Sequence, residues 1–395
     1  MSSKKLLLIE PFTALPQNSG GRTRIFHTIN ELKKYFDLTV WQFTANSQEL
    51  FLQENWLKKI NLPYQSFSIQ KKKFFSFLFT GQPYWFSDWW NKELILALKK
   101  QENRFDTIQI EFSQLLYLAK YLPKNNRKVF IAHDLASLSF WRRLQGEKNL
   151  IKKIVHFCRL LEVYFYERRY LPLFDLVIAM SATDKAHLVK LFHLKNVEVI
   201  ENGIAQINFL PTRNENNIVN LGLIGSFSHP PNLEAFRFCS KQILPLLEKN
   251  QIKFRFYLAG ENDPELVKNI ANKFLKDRTQ IINLGFIKEL KDFYRQIDFL
   301  IAPLFAGSGT RIKILESLSF GRPVLTTKIG AEGLQIVNPF LQIIPSGKEK
   351  NVDVWSQMIQ TIADSKLSQN DQNNLNKELS KLTWTSLMQK SLSLL

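Results

Sequence analysis

Apolar residues along this chain come in short runs, and the stretches between them carry helical periodicity. KLLLIEPF (residues 5–12), DLTVWQF (37–43), FDTIQIE (105–111), KVFIA (128–132), LVIA (176–179) and VEVIE (197–201) read as strands. The first ends in the loop Leu15–Gly21 with its Gly-Gly pair, and a helix follows over Arg22–Tyr35 with Ile25, Ile29 and Leu32 on one face. The alternation starts afresh at IVNLGLIG (218–225). A helix from Asn232, FRFYLAG (254–260), a helix near Pro264–Leu275, a strand at Gln280–Leu284, a helix at Leu290–Gln296 and DFLIAPL (298–304) continue it. Strands alternating with helices imply parallel sheets covered on both faces. The pattern predicts an α/β protein of two domains, residues 1–205 and 206–377, divided in the loop Gly203–Asn217 with its Pro211 and several Asn residues. A polar helical tail follows from Asn370. In such sheets ligands bind beyond the carboxyl ends of strands. Gly20 and Gly21, His133, Gly225 and the segment after DFLIAPL all follow strand ends. Two such domains facing each other would enclose a cleft.

The run GSGTRIKILESLSFGRPVLTT (307–327) adds chemistry to that pattern. A loop of Gly307, Ser308, Gly309 and Thr310 opens a helix whose apolar side carries Ile312, Leu315 and Leu318. Gly321 and Pro323 end it, and Val324 and Leu325 begin a buried strand. Arg311 and Lys313 fall in the first turn, where the helix already presents partial positive charge and unpaired N–H groups. No acidic side chain in that turn offsets them. Two cations there make sense where an anion sits, and Gly-rich loops at helix N-termini bind phosphate. Glu316, about a turn and a half on, is near enough to accept hydrogen bonds from sugar hydroxyls. The stretch points to a nucleotide-diphosphate site. The alternative is a surface helix that is basic because the protein is basic.

At 395 residues the chain exceeds one ordinary core, and 45% hydrophobic with 22% charged residues is a globular composition. No apolar run approaches the ~18 residues of a membrane span. The apolar stretch of MSSKKLLLIEPF is too short for a secretory signal and is read as the first strand, so a cytoplasmic location is expected. Cys158 and Cys239 suggest neither a disulfide framework nor a metal site. Of the net charge of +18, +12 falls in residues 1–205. Such a field attracts nucleic acid or anionic lipid, and no nucleic-acid-binding signature is present. Solubility is the competing explanation. Lys71–Trp90 places three lysines before nine aromatics, which suits an anionic membrane surface or, equally, a helix pair packing its aromatics into the N-terminal domain. Lys148–Arg169 is basic and amphipathic, either a second contact surface or an ordinary packed helix.

Taken in order, these segments resemble the family 4 retaining glycosyltransferases of the GT-B fold, over nearly the whole chain. QNSGGRTR, IAHDLAS, FDLVIAMSATD with VEVIENGI, GLIGSFSHPPNLEAF, and LGFIKELKDFYRQIDFLIAPL followed by GSGTRIKILESLSFGRPVLTTKIGAEGL carry the likeness. The resemblance implies two Rossmann-like domains facing a central cleft. The C-terminal domain would bind a nucleotide sugar, the N-terminal domain would face the acceptor, and a C-terminal helix of about 378–395 would pack back on the N-terminal domain. It assigns Glu316 to ribose hydroxyls, Gly307 to Thr310 to the diphosphate with Arg311 and Lys313, and Gly285, Phe286 and Ile287 to the base. Gly20 and Gly21 would let the N-terminal loop approach the diphosphate, and His133 would lie near the transferred sugar. The paired-glutamate motif departs at its first position, where Ser308 stands. Glu332 in GAEGL is the candidate to replace that contact.

Breaking a sugar–phosphate bond develops charge on the leaving diphosphate, which preorganised cations and N–H dipoles stabilise. The sequence contains no Asp-x-Asp triplet, so no metal is expected, and Arg311 with Lys313 take that role. No cofactor is expected beyond the nucleoside-diphosphate sugar as substrate. In the retaining mechanism that the resemblance implies, the departing phosphate takes the acceptor's proton. The reading is a hexosyltransferase acting on a lipid-linked or polysaccharide acceptor in cell-envelope glycan synthesis, cytoplasmic and peripheral on the plasma membrane. A nucleotide-sugar 2-epimerase on the same fold and a non-catalytic nucleotide-sugar-binding protein are the alternatives. A lone His after a strand is as often structural as functional, so His133 stays open on the residues alone. His27, His156, His187, His193 and His229 follow no metal-ligand spacing.

Overall fold

The computed structural model describes residues 4–70, 82–101, 104–147, 149–211, 218–275, 280–306, 311–365 and 367–395. Two parallel sheets organise them. The first has seven strands, β1 (Lys5–Glu10), β2 (Asp37–Thr44), β3 (Tyr64–Ser68), β4 (Thr107–Glu111), β5 (Arg127–Ala132), β6 (Leu176–Ala179) and β7 (Val197–Val199), in the order β3-β2-β1-β4-β5-β6-β7. The second has six, β8 (Val219–Ile224), β9 (Phe254–Ala259), β10 (Ile281–Asn283), β11 (Phe299–Ala302), β12 (Val324–Thr326) and β13 (Leu341–Ile343), in the order β10-β9-β8-β11-β12-β13. One compact unit comprises the residues up to Gln17, Gly21–Glu201 and Leu387–Leu395, and the other Asn18–Gly20 and Asn202–Ser386.

The central strands form where the apolar runs lie because they are covered on both faces, so alternation is lost, while the edge strands β3, β7, β10 and β13 are only partly buried. Leu6, Leu7, Leu8 and Ile9 of β1 are all fully buried. Asp106, Asp175 and Asp298, each just before a strand, accept the backbone N–H of Lys5 (2.7 Å), Lys128 (2.8 Å) and Asn220 (2.7 Å) on the neighbouring strand. These carboxylates fix register at the amino edge of the sheets and leave the carboxyl edge to other chemistry.

Helix Gly20–Leu32 starts two residues before the apolar pattern suggests, and it buries Ile25, Ile29 and Leu32. Gly20 and Gly21 therefore stand in its first turn rather than in a loop. A Cβ on Gly21 would come within 3.0 Å of the Phe112 ring and 3.2 Å of the Phe12 ring, so the missing side chain lets this helix start pack on aromatics. The loop before it is tied down by Arg22, which pairs with Glu49 at 2.8 Å and donates to Thr13 Oγ1 and the Leu15 carbonyl.

Lys71, Lys72 and Lys73, with the aromatics up to residue 79, lie outside the described residues. The rest of that stretch is a short 3-10 helix, Tyr84–Trp89. It divides its aromatics: Phe86 is buried, while Tyr84 and Trp85 are exposed. The basic amphipathic segment is a helix, Leu150–Tyr170, that buries residues only in its second half, Val163, Tyr166, Glu167 and Tyr170. Among the described residues no helix is long and apolar enough to cross a membrane.

Candidate functional site

Strand order reverses between β1 and β4 in the first sheet and between β8 and β11 in the second. Such points leave a crevice beyond the carboxyl ends of the strands. A polar cluster occupies that position in each unit.

In the first unit, Glu10 ends β1, Glu111 ends β4, and His133 directly follows β5. His133 Nε2 lies 2.6 Å from Glu111 Oε2, with 8% and 1% of the two side chains exposed. Gln109 donates to the other Glu111 oxygen at 2.8 Å. Burial pushes the imidazole down, and the hydrogen bond to Glu111 offsets this only in part. Burial also pushes Glu111 up, but the hydrogen bond and charge of His133, with Arg24, outweigh it and hold the carboxyl below its ordinary value. Near neutral pH, an ionised Glu111 thus accepts from the Nε2–H of a neutral His133. This tautomer, assigned from the hydrogen bond, leaves Nδ1 as the ring's acceptor. Glu10 goes the other way: burial and the Glu111 charge push it well above the carboxylate range, against Arg24. Two neighbouring carboxyls are therefore shifted in opposite directions, Glu10 toward the neutral acid and Glu111 toward the carboxylate. Arg24 donates to the carbonyls of Glu201 (3.0 Å) and Ile200 (3.4 Å).

Phe112 stacks flat on His133, with ring centres 3.6 Å apart and planes 5° from parallel. Its backbone has φ +67°, which costs a non-glycine residue about 1–3 kcal/mol. The imidazole is thus clamped by a carboxylate on its edge and a ring on its face.

In the second unit, Gly225, Gly260 and Gly285 follow β8, β9 and β10, all with positive φ. The Gly260 N–H donates to the Gly285 carbonyl at 2.7 Å. At Gly225 a Cβ would stand 2.6 Å from Asn232 Nδ2 and 2.9 Å from Lys313 Nζ, so the ammonium rests over bare backbone. Helix Ile312–Ser319 follows β11, and among the described residues no side chain caps its start. Arg311 is its N-cap residue, one position outside the first turn expected from the sequence, because its backbone is extended at φ −86° and ψ 98°. Lys313 Nζ donates to Asn232 Oδ1 at 2.6 Å, and Asn232 Nδ2 donates in turn to the Ser226 carbonyl at 2.8 Å. Tyr294 Oη donates to the Lys313 carbonyl at 3.2 Å. Burial, aided by the Arg311 charge, takes the half-buried Lys313 down to about 7. Burial takes Glu316 up to about 7, with Lys313 opposing.

The second unit thus holds Arg311, Lys313 and Glu316 on one helix start with Gly225 against it. Phe286 and Ile287 follow β10; Phe286 is exposed, and Ile287 packs against the core. Glu332 is half-buried in the turn after β12, one strand along from β11. Gly307, Ser308, Gly309 and Thr310 lie outside the described residues. His133 and Gly21 belong to the first unit. Sequence reasoning missed Glu10, Glu111, Phe112, Arg24, Asn232 and Gly260. The strand-end rule that singled out His133 applies equally to the Glu closing LLLIE, the Glu closing TIQIE and the Gly closing FRFYLAG. Nothing in the sequence marks Asn232 or the backbone of Phe112. Among the described residues no group of three His, Cys, Asp or Glu side chains is placed to hold a metal ion.

Residues 219–354, which contain the second cluster, match the family model Glycosyl transferases group 1. No curated protein sequence matches the chain. Solved structures with the same fold include sucrose-phosphate synthase from Thermosynechococcus elongatus, at TM-score 0.69 and 15% identity over 99% of this chain and 98% of that one. HepE from Anabaena, solved with UDP and glucose, aligns at TM-score 0.66 and 16% identity over 99% and 100% of the two chains. WaaG, a glycosyltransferase involved in lipopolysaccharide biosynthesis, aligns at TM-score 0.64 and 12% identity over 98% and 99%. The chain therefore has the GT-B fold, and its residues 219–354 match the group 1 glycosyltransferase model.

Proposed function

We propose that this protein transfers a sugar from a nucleoside-diphosphate sugar to a lipid-linked or polysaccharide acceptor in cell-envelope glycan synthesis. It does so with retention of anomeric configuration and without a divalent metal, at the cytoplasmic face of the membrane. The observation that carries the reading is Lys313: a half-buried ammonium in the first turn of a helix that no described side chain caps, disfavoured as a cation until an anion joins it. The diphosphate is that anion. Lys313, Arg311 and the helix N–H groups stabilise the charge that grows on it as the sugar C1–O bond breaks. The acceptor oxygen attacks the face that the diphosphate leaves, and its proton passes to the departing phosphate oxygen. Glu316 accepts hydrogen bonds from the ribose hydroxyls. Gly285, Phe286 and Ile287 contact the base, the 307–310 loop meets the phosphates, and Glu332 takes the sugar contact absent at Ser308. His133, fixed by Glu111 and Phe112, presents Nδ1 to the sugar.

Support comes from the match of residues 219–354 to the group 1 family and from the HepE structure, which holds UDP and glucose. The test is a thermal-shift panel of uridine and guanosine diphosphate sugars in the presence of chelator, followed by calorimetry. One donor should raise the melting temperature by mass action, and Arg311→Ala should lower turnover sharply without unfolding the chain. A requirement for added manganese refutes the metal-independent form, and the absence of any donor shift refutes the reading.

A further inference from the structure

Helix Leu150–Tyr170 has two apolar faces, and only one is used. Val163, Tyr166, Glu167 and Tyr170 pack into the first unit. On the other side, Leu150, Ile154, Cys158, Leu161 and Phe165 are all exposed and fall within about 80° of arc at 3.6 residues per turn. Leu150 and Ile151 are 72% and 75% exposed, more than isolated surface leucines require. This helix supplies the largest group of exposed large hydrophobics among the described residues. Arg168 falls within the arc of the stripe, Arg169 about 20° beyond one edge of it and Lys153 about 60° beyond the other, all three exposed. Tyr84 and Trp85, both exposed, lie along the flank of the helix: the Arg159 guanidinium lies 4.4 Å from the centre of the Trp85 ring, and the Tyr84 N–H donates to Glu162 at 2.6 Å.

We infer that this face docks on an anionic lipid surface, with the stripe entering the acyl boundary and the cations meeting the headgroups. An exposed apolar face flanked by Lys and Arg is the composition of a helix lying in a membrane interface. Charge decides between occupants. A second copy of the chain would bring the same cations together, in a molecule of net charge +18, whereas an anionic bilayer attracts them. The inference rests on the membrane-linked acceptor of the proposed function and gives the membrane a location on the chain. It depends on none of the donor-site residues.

The full chain is mixed with vesicles of phosphatidylglycerol and phosphatidylcholine, or of phosphatidylcholine alone, and sedimented at rising salt. Binding is expected only to the anionic vesicles and should weaken steeply between low and physiological salt. Arg168→Gln with Arg169→Gln should weaken it roughly tenfold or more, at about fivefold per cation. Ile151→Ser with Ile154→Ser should weaken it comparably at low salt, where a purely electrostatic contact would be unmoved. All four positions are exposed, so melting temperature should be unchanged, and donor binding measured by calorimetry on the same variants should match the parent. Donor binding that persists without vesicle binding overturns this inference and leaves the donor site standing. Vesicle binding insensitive to the Ile151 and Ile154 variant overturns it as well. So does a concentration-dependent dimer, abolished by that variant, in a protein that ignores vesicles.

Discussion

Replacing Lys313 with methionine should make the free protein more stable and its donor affinity much weaker. In the free protein the ammonium is a liability, since burial, with Arg311 beside it, takes Lys313 from 10.5 to about 7. At 1.36 kcal/mol per pH unit that is roughly 5 kcal/mol against the charged form. The sign is that of a lowered base. The penalty is complete below pH 7, shrinks above it as the folded state sheds the proton, and is gone above 10.5. Methionine keeps most of the stem and removes the charge. It also leaves Asn232 Oδ1 without its 2.6 Å donor, a loss of about 1–3 kcal/mol. Water at the half-buried ammonium screens part of the penalty as well, so a net gain of about 2 kcal/mol remains. For a unit of this size that is a rise of about 4–8 °C in melting temperature at pH 7, falling toward zero as the pH rises. On the proposed function the diphosphate loses one of its cations, which should weaken affinity by about 2–5 kcal/mol. Scanning calorimetry at pH 7 and 9.5 reads the first effect and titration calorimetry with UDP-glucose the second. In the parent protein, binding at pH 8 should take up a proton as the anion restores the Lys313 charge, so the enthalpy should vary with the buffer's ionisation heat. A variant that melts lower at pH 7 and binds the donor like the parent refutes the reasoning.

Glu316→Gln should cost about 1.5–3 kcal/mol of donor affinity by calorimetry with little change in melting, and unchanged affinity would remove Glu316 from the ribose. Gly225→Ala forces a Cβ to within 2.6 Å of Asn232 Nδ2 and 2.9 Å of Lys313 Nζ on a backbone at φ +143°. It should displace that pair and weaken donor binding about tenfold or more, measured in the same titration. Glu111 is held below its ordinary value of 4.5, so the stability it contributes is present above pH 4.5 and lost as the pH falls through its lowered value. Glu111→Gln should therefore cost about 1.5–3 kcal/mol in denaturant unfolding at pH 7 and progressively less in acid. A cost that does not change with pH would mean that Glu111 is not the ionised partner of His133.

The strands were legible because a parallel strand buried on both faces is written as an unbroken apolar run. LLLI, LVIA and FLIA stand out from the amphipathic helices beside them, whereas Tyr64–Ser68 and Leu341–Ile343 carry no such run and were not legible as strands. The donor helix was legible for the opposite reason, as a local conflict: Arg311 and Lys313 stand where a helix prefers acids. The Glu10, Glu111 and His133 cluster was not legible as a cluster. Those residues are far apart in sequence, and only the order β1-β4-β5 makes their strands neighbours. Asn232 belongs to the same class, since its bond to Lys313 crosses 81 positions. Phe112 was hidden because no composition signal marks a phenylalanine with positive φ. The helix Leu150–Tyr170 misled in a different way: its pattern reads as amphipathic, while the structure gives it an apolar face on each side.

The central claim is that this chain breaks the sugar–phosphate bond of a nucleotide sugar and keeps the configuration at C1. Proton NMR of the slow hydrolysis of the accepted donor, UDP-α-glucose if the thermal-shift panel selects it, tests this most directly. The first anomer released should be α-glucose, with UDP appearing at the same rate in the presence of chelator, before mutarotation mixes the signals. If β-glucose appears first, or if no donor in the panel releases its nucleoside diphosphate, the claim is contradicted.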